Sequence, residues 1–312
     1  MSYEALRPGE ILINDDTPEY VTHDVVIDGE PKRRGLVPRD YAAHPPGCYA
    51  GAPAWSVDMP LIPRAEWSER VRDMVATKSL LSDIRLRGNG GDRIPALDQN
   101  GQGFCWAYSS TGAVMMLRAA MNEPYVRLSA HAIGCMVKGF RDEGGWGAQS
   151  LEFIQSRGVP SVEFWTEKSM SRSNDRPETW ANAALHKVTG AWVDLGSAVY
   201  NRSLTFDQHF TQLLCRKPVV ADRNWWSHST CDIDPVDGVS QWGRSRADSG
   251  KLLTLPEFEL FWGVNTVTGG YAVRTLNSWS DGWSDRGMGV ISGNRAVIDG
   301  GVSPWQTLPS AA

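Results

Sequence analysis

The sequence predicts an α+β fold built as two lobes. Helix-period apolar patterns crowd the stretch from about residue 90 to 215, whereas after Pro218 the texture changes to short strand-like runs split by Gly, Asp, Ser and Trp. A glycine-rich approach, DQNGQGF, leads into Cys105 at the head of FCWAYSSTGAVMMLRAAM, a segment apolar over most of its surface and therefore a central buried helix. Segregated helices and strands argue against an alternating α/β fold, and a cleft between two such lobes is a natural site.

Along the chain, residues 1–60 stand apart as an N-terminal extension or arm. They hold ten Asp/Glu and five Lys/Arg, are rich in proline, and carry short β-like runs in EILIN and YVTHDVVIDG. The main domain spans 61–312. Residues 64–85 predict a helix, RGNGGD a loop, and WGAQSLEFIQSRG a helix stopped by Gly158. RPETWANAALHKV and TFDQHFTQLLCRK predict two more helices. The strand-rich lobe, about 216–295, contains PVVAD, HSTCDID, FELFWGVNTV, GYAVRTLN and GMGVIS.

Bulk properties exclude several function classes. Net charge is −5, which argues against a broad nucleic-acid-binding surface, and no apolar run reaches membrane-spanning length. The five cysteines are widely spaced with no CxxC pair, so neither a zinc ribbon nor any cofactor is expected. The N-terminus MSYEALRPGEILINDD shows neither a basic n-region nor an apolar h-region. The expectation is a soluble protein of a reducing compartment, cytoplasmic or in a virion, with free thiols.

Cys105 is the residue that points to chemistry. Glycines let backbone approach a substrate closely, and a helix N-terminus favours the thiolate, which is the nucleophilic form. Such a thiolate needs a base, and the base needs a group that holds its ring. Of six histidines, His186 and His209 read as solvated helix surface, His23 and His44 fall in the extension, and His131 reads as core packing beside Cys135. His228 follows NWWS at the start of a strand, with LNSWSDGWSDRGMGV downstream. Asn277 is placed to hold its ring, and Trp279 and Trp283 to cover that bond from water.

QNGQGFCWAYS resembles the Q-x5-C-W-[AG]-[FY]-S signature of papain-like cysteine peptidases. NSWSDGWSDRGMGV resembles the family's NSWG-x-x-WG-x-x-G-[YF] segment, and EGGWGAQSLEFIQSRGVP the stretch bearing its substrate-binding glycines. The three motifs come in the family's order across roughly residues 63–293. The resemblance implies a papain-like two-lobed fold and peptide-bond hydrolysis through a thioester acyl-enzyme. It makes Cys105 the nucleophile, His228 the general base and acid, and Asn277 the orienting amide. Gln99 and the Cys105 N–H would form the oxyanion hole. Gly144 and Gly145 would hold the substrate backbone, Trp146 and Ser229 would flank its subsite, and Trp279 would shield the His–Asn pair.

Departures from the family are as informative. Gln102 stands where a disulfide cysteine is expected, leaving its counterpart Cys135 unpaired, and 49 positions separate His228 from Asn277 (277 − 228). The extension is not a typical helical propeptide. The run NWWSHS…RTLNSWSDGWSDRGMGV, with EKSMSR and LTFDQ, is similar to versions encoded by tailed phages. That resemblance implies a second reading: a structural virion protein whose arm binds neighbouring subunits. The expected partner is otherwise a peptide or protein substrate. An amide transferase would use the same residues.

Overall fold

The structure is a computed structural model, and it describes residues 7, 9–56, 59–87, 93–187, 190–237 and 267–304. The extension contributes β1 (Ile11–Ile13), the single-turn α1 (Tyr20–His23), and the strand pair β2 (Val26–Ile27) and β3 (Glu30–Pro31). There follow α2 (Arg64–Ala76), α3 (Leu81–Arg87), α4 (Cys105–Ala120), α5 (Ala130–Val137), α6 (Gly147–Arg157) and α7 (Pro177–Ala184). Next come β4 (Trp192–Asp194), α8 (Arg202–Leu214), β5 (Val219–Arg223), β6 (His228–Asp237), β7 (Tyr271–Leu276), β8 (Met288–Ile291) and β9 (Gly300–Pro304). The predicted strand FELFWGVNTV, its last residue Val267 excepted, and most of the long stretch between His228 and Asn277 lie outside the described residues.

Helix α4 organises the helical lobe. Fourteen of its 16 residues are buried, as its all-round apolar character requires. It packs on α5 and α6 on one side and on β6 on the other, so it touches both lobes. The core around it includes Trp106, Val114, Leu151, Ile154 and Trp165, and each such side chain contributes roughly 1.5–3 kcal/mol of burial free energy. Helix α6 ends as predicted at Gly158, whose φ of +83° is open to glycine and strained for other residues.

The β lobe is one seven-stranded sheet of order β1-β8-β7-β6-β5-β9-β4, antiparallel throughout except that β1 joins β8 in parallel. Two helices placed by sequence outside this lobe belong to it. Trp67 of α2 stacks on Phe210 of α8 at 4.2 Å, and both helices cover the sheet together with Phe206, Val219 and Ile291. The predicted 90–215 limit of the helical lobe therefore cuts across the real packing, because helix period alone does not say which neighbour a buried face meets. The lobe's strands also run past 295, since β9 pairs with both β5 and β4.

The extension is built into this body. Beyond the β1–β8 pairing, Arg274 of β7 is bound by Glu10 (2.6 Å) and Asp234 (2.9 Å), all three buried. Arg7 adds a hydrogen bond to Ser82 and an ion pair to Asp83. Removing the cation from a buried network strands its carboxylates in low dielectric. Arg274→Met should therefore lower the free energy of unfolding in denaturant titration by about 3–5 kcal/mol; a loss below about 1 kcal/mol would show that this network does not hold the extension.

Candidate active site

Cys105 is the first residue of α4 and fully buried. Phe104, at the cap position, offers no side-chain acceptor to the helix, so the positive end of the helix faces the thiol. Backbone N–H groups of Ser229, Gly35 and Trp106 point at the sulfur. Even so, burial pushes the Cys105 thiol up to about 12, with the Asp222 carboxylate adding to the rise. Desolvation outweighs the helix dipole and the N–H donors here, and the group is a neutral thiol.

His228 opens β6 across the cleft, paired with Arg223 of β5. Its Nε2 lies 2.8 Å from Asn277 Oδ1, and the Ser278 N–H donates to the same oxygen at 2.7 Å. That second donor fixes Oδ1 as the acceptor side of the amide, so Nε2 carries the proton and Nδ1 the lone pair. Nδ1 is buried and has no hydrogen-bond partner among the described residues. Trp279 lies over the ring at 4.7 Å, and Trp226 meets it at 5.0 Å. Trp283 packs on both tryptophans. Burial pushes the imidazole down to about 3, against the raising effect of Asn277, with Arg34 and Arg223 repelling its charged form.

Gln99 is held from both ends of its amide. Ser278 Oγ donates to Oε1 at 2.6 Å. Nε2 donates to the Gln102 carbonyl at 2.8 Å and to the Arg33 carbonyl at 3.0 Å. The side chain thus presents one N–H to its own loop and the other to whatever carbonyl occupies the cleft.

The occupant is the chain's own extension. Residues 33–37 cross between the lobes in extended form. Leu36 N–H donates to Ser227 O at 3.1 Å on the β side. Val37 N–H donates to Gly145 O, and Gly145 N–H to Gly35 O, both at 3.0 Å on the helical side. Leu36 pairs with Gly145 in parallel. The Arg33 carbonyl takes a second hydrogen bond from Trp279 Nε1 at 3.1 Å. Lys32 pairs with Asp98 at 3.3 Å and Arg33 with Asp142 at 2.6 Å. The fit is tight at Gly35, where an added Cβ would lie 2.0 Å from the Gly103 carbonyl oxygen.

Hydrogen bonds run from His228 through Asn277 and Ser278 to Gln99, while Cys105 lies beside Gly35 and Ser229 with no hydrogen bond from its thiol to His228 Nδ1. Gly144 touches the same segment, its Cβ position lying 2.6 Å from Gly35 O. Trp146 donates from Nε1 to Tyr49 Oη at 3.0 Å and stands against His44, so the extension covers it too. Ser229 faces inward, bonded to Ser109 Oγ at 2.8 Å. Two expectations need correction. His186 and His209 are buried rather than solvated. His209 Nε2 lies 3.0 Å from Asp232, a carboxylate also bound by Arg223, and His186 Nδ1 lies 3.0 Å from Val159 O. Polar sequence neighbours misled because these partners come from β6 and from the turn after α6. Sequence reasoning also missed the Lys32–Val37 segment as a site element. Its KRRG run, four residues with no secondary-structure period, carried no signal beyond its charge.

Against known proteins, no family model matches the sequence and no curated protein matches it. Solved structures do match in fold. Xylellain, a cysteine protease from Xylella fastidiosa, aligns at TM-score 0.52 and 11% identity, covering 90% of this chain and 99% of that one. The fold is papain-like. A mite-allergen structure (Blo t 1, Der p 1) aligns at TM-score 0.51 and 14% identity over 92% and 80% of the two chains. A stem bromelain precursor aligns at 0.50 and 17% over 82% and 77%.

Because its charged form is disfavoured in the fold, His228 stays neutral while the unfolded chain takes up a proton below about pH 6.5. Stability from this group is present above that pH and falls as pH drops towards 3. Imidazole nitrogen NMR should show the neutral Nε2–H form of His228 from pH 7 down to pH 4. A titration midpoint near 6.5 would contradict the burial described.

Proposed function

We propose that the protein is a cysteine peptidase whose described state is latent, with residues 32–37 blocking its own cleft. The observation that carries this reading is the pairing of Leu36 with Gly145 across a site that holds Cys105, His228–Asn277 and Gln99 in one place. Within the cleft, the segment sets the Gly35 N–H at the thiol, beside those of Ser229 and Trp106, and the Arg33 carbonyl at Gln99 Nε2.

Latency has a physical cause. The segment excludes water from thiol and imidazole and sets Arg34 near the ring, and all of these disfavour the thiolate–imidazolium pair. Once the segment leaves, hydration returns, Arg34 goes with it, and the helix N-terminus favours the thiolate. His228 Nδ1 takes the thiol proton and Nε2–H stays on Asn277. The sulfur then attacks a peptide carbonyl whose oxygen takes the place of the Arg33 carbonyl at Gln99 Nε2 and is also met by the Cys105 N–H. The imidazolium gives its proton to the leaving amine, and water attacks the thioester with His228 as base. The substrate is a peptide or protein in extended form along Gly144–Gly145.

A phage-encoded or virion setting belongs to this proposal only as the source suggested by sequence resemblance. The rival reading, a structural virion protein with a partner-binding arm, gains no support from the packing of β1, Glu10 and residues 32–37, which are spent on the chain's own sheet and cleft.

Gly35→Ala should push the segment off the Gly103 carbonyl. With an epoxysuccinyl probe at pH 7, labelling at Cys105 should rise by about tenfold or more relative to the exposed Cys48 as internal reference. Leu36→Asp should do the same by burying a charge. Peptide hydrolysis by either variant should vanish on adding Cys105→Ala while the fold persists. Unchanged labelling in both variants would contradict self-blocking, and turnover surviving Cys105→Ala would contradict the peptidase reading.

A further inference from the structure

Gln99 Nε2 carries two hydrogens, and the structure assigns them separately: one to the Gln102 carbonyl (2.8 Å), one to the cleft carbonyl (3.0 Å). Where the second points depends on where Gln102 sits. Gln102 belongs to a loop with two consecutive residues at positive φ, Asn100 (+42°) and Gly101 (+77°), which has no regular secondary structure to hold it. It is the position at which the resembling family carries a disulfide cysteine, and the would-be partner Cys135 is a free thiol against Met170. The Gln99 N–H to Ser278 O (3.0 Å) and the Gly103 N–H to Asp142 Oδ1 (2.8 Å) pin its ends, and something must still anchor the Gln102 side chain between them.

A chain of side-chain hydrogen bonds does so. Gln102 Oε1 lies 2.9 Å from His131 Nε2 on α5. His131 Nδ1 lies 2.6 Å from Tyr108 Oη on α4, one turn below Cys105. The proton positions follow from valence. An amide oxygen only accepts, so Nε2 carries the ring proton. Nδ1 is then an acceptor and the tyrosine hydroxyl donates to it. With the Gln102 amide oxygen on the ring side, the orientation propagates from α4 to the loop. Tyr108 and His131 are buried, and Phe104 packs edge-on to the His131 ring at 5.5 Å. Burial holds His131 down to about 4, which keeps the ring in the neutral form this arrangement needs at ordinary pH.

We infer that His131 is a positioning residue for the reaction: through Gln102 it aims the Gln99 amide at the carbonyl in the cleft, with Tyr108 fixing its tautomer. This inference rests on the peptidase reading above. His131 and Tyr108 do not touch the cleft carbonyl themselves, so their effect must appear as a loss of oxyanion stabilisation and not of thiol reactivity.

That difference supplies the test, made in the Gly35→Ala protein. Alkylation of Cys105 by iodoacetamide passes through no oxyanion, whereas peptide hydrolysis does. Gln102→Met keeps the side chain's length but removes the acceptor, and His131→Phe removes the donor. Both should lower kcat for a peptide by about 10-fold or more, towards the loss of Gln99→Ala, a range set by what removal of a single oxyanion donor costs. KM and the alkylation rate should stay within about twofold of the parent. Gln102→Glu, which restores an acceptor, should recover most of kcat. Equal losses in alkylation and hydrolysis would overturn the inference in favour of general structural damage, as would full kcat in Gln102→Met. A Gly35→Ala parent that alkylates at Cys105 but hydrolyses no peptide would instead sink the peptidase reading, and this inference with it.

Discussion

Exclusion of water from the thiol and imidazole is the constraint on which the rest of the structure depends. Helix α4 is apolar on all sides and must be buried, so its first residue, Cys105, arrives at the lobe boundary with little solvent around it. On the other side, Trp226 and Trp279 cover His228, with Trp283 packed behind them. A reactive ion pair in such a place needs compensating dipoles and some hydration. The helix end and the Asn277 amide supply the first. The extension removes the second.

The extension does so by using bonds that any extended peptide would use. Gly145 gives one donor and one acceptor, Ser227 an acceptor, and Gln99 and Trp279 one donor each. These groups belong to both lobes, so the segment ties the lobes together as it fills the gap between them. The flanking ion pairs are secondary. Arg33 is about half exposed, and its pair with Asp142 is screened by solvent. Lys32 is nearly buried beside Asp98 and counts for more. Behind the cleft, β1 and the Glu10–Arg274–Asp234 network anchor the chain before the segment, so it can leave the cleft while its root stays in the sheet.

Much of this was legible in the sequence where the signal was local. The all-apolar run after Cys105 marked a buried helix because no other environment tolerates it, and Gly158 marked a helix end through its backbone freedom. Cys105, Gln99, His228 and Asn277 stood out because their motifs sit on fixed local scaffolds: a helix start, a strand start and a tryptophan-rich turn. What stayed hidden was long-range. Nothing local shows that Phe206 and Phe210 of α8 face the sheet, that His209 meets Asp232, or that the KRRGLV run finds Gly145 more than a hundred positions later. The same holds for Gln102. Its departure from the family pattern was visible, but its replacement partners, His131 and Tyr108, were visible only in three dimensions.

The most direct test of the central claim, that residues 32–37 block a competent site, is hydrogen exchange at the Leu36, Val37 and Gly145 amides, read residue by residue before and after a peptidyl epoxysuccinyl probe is attached to Cys105. The account predicts slow exchange at all three in the resting protein. After attachment, Leu36 and Val37 should become fast while Gly145 stays slow, its N–H now bound to the probe. Leu36 and Val37 remaining slow on a protein fully labelled at Cys105 would contradict it, because the probe and the segment would then not share the cleft.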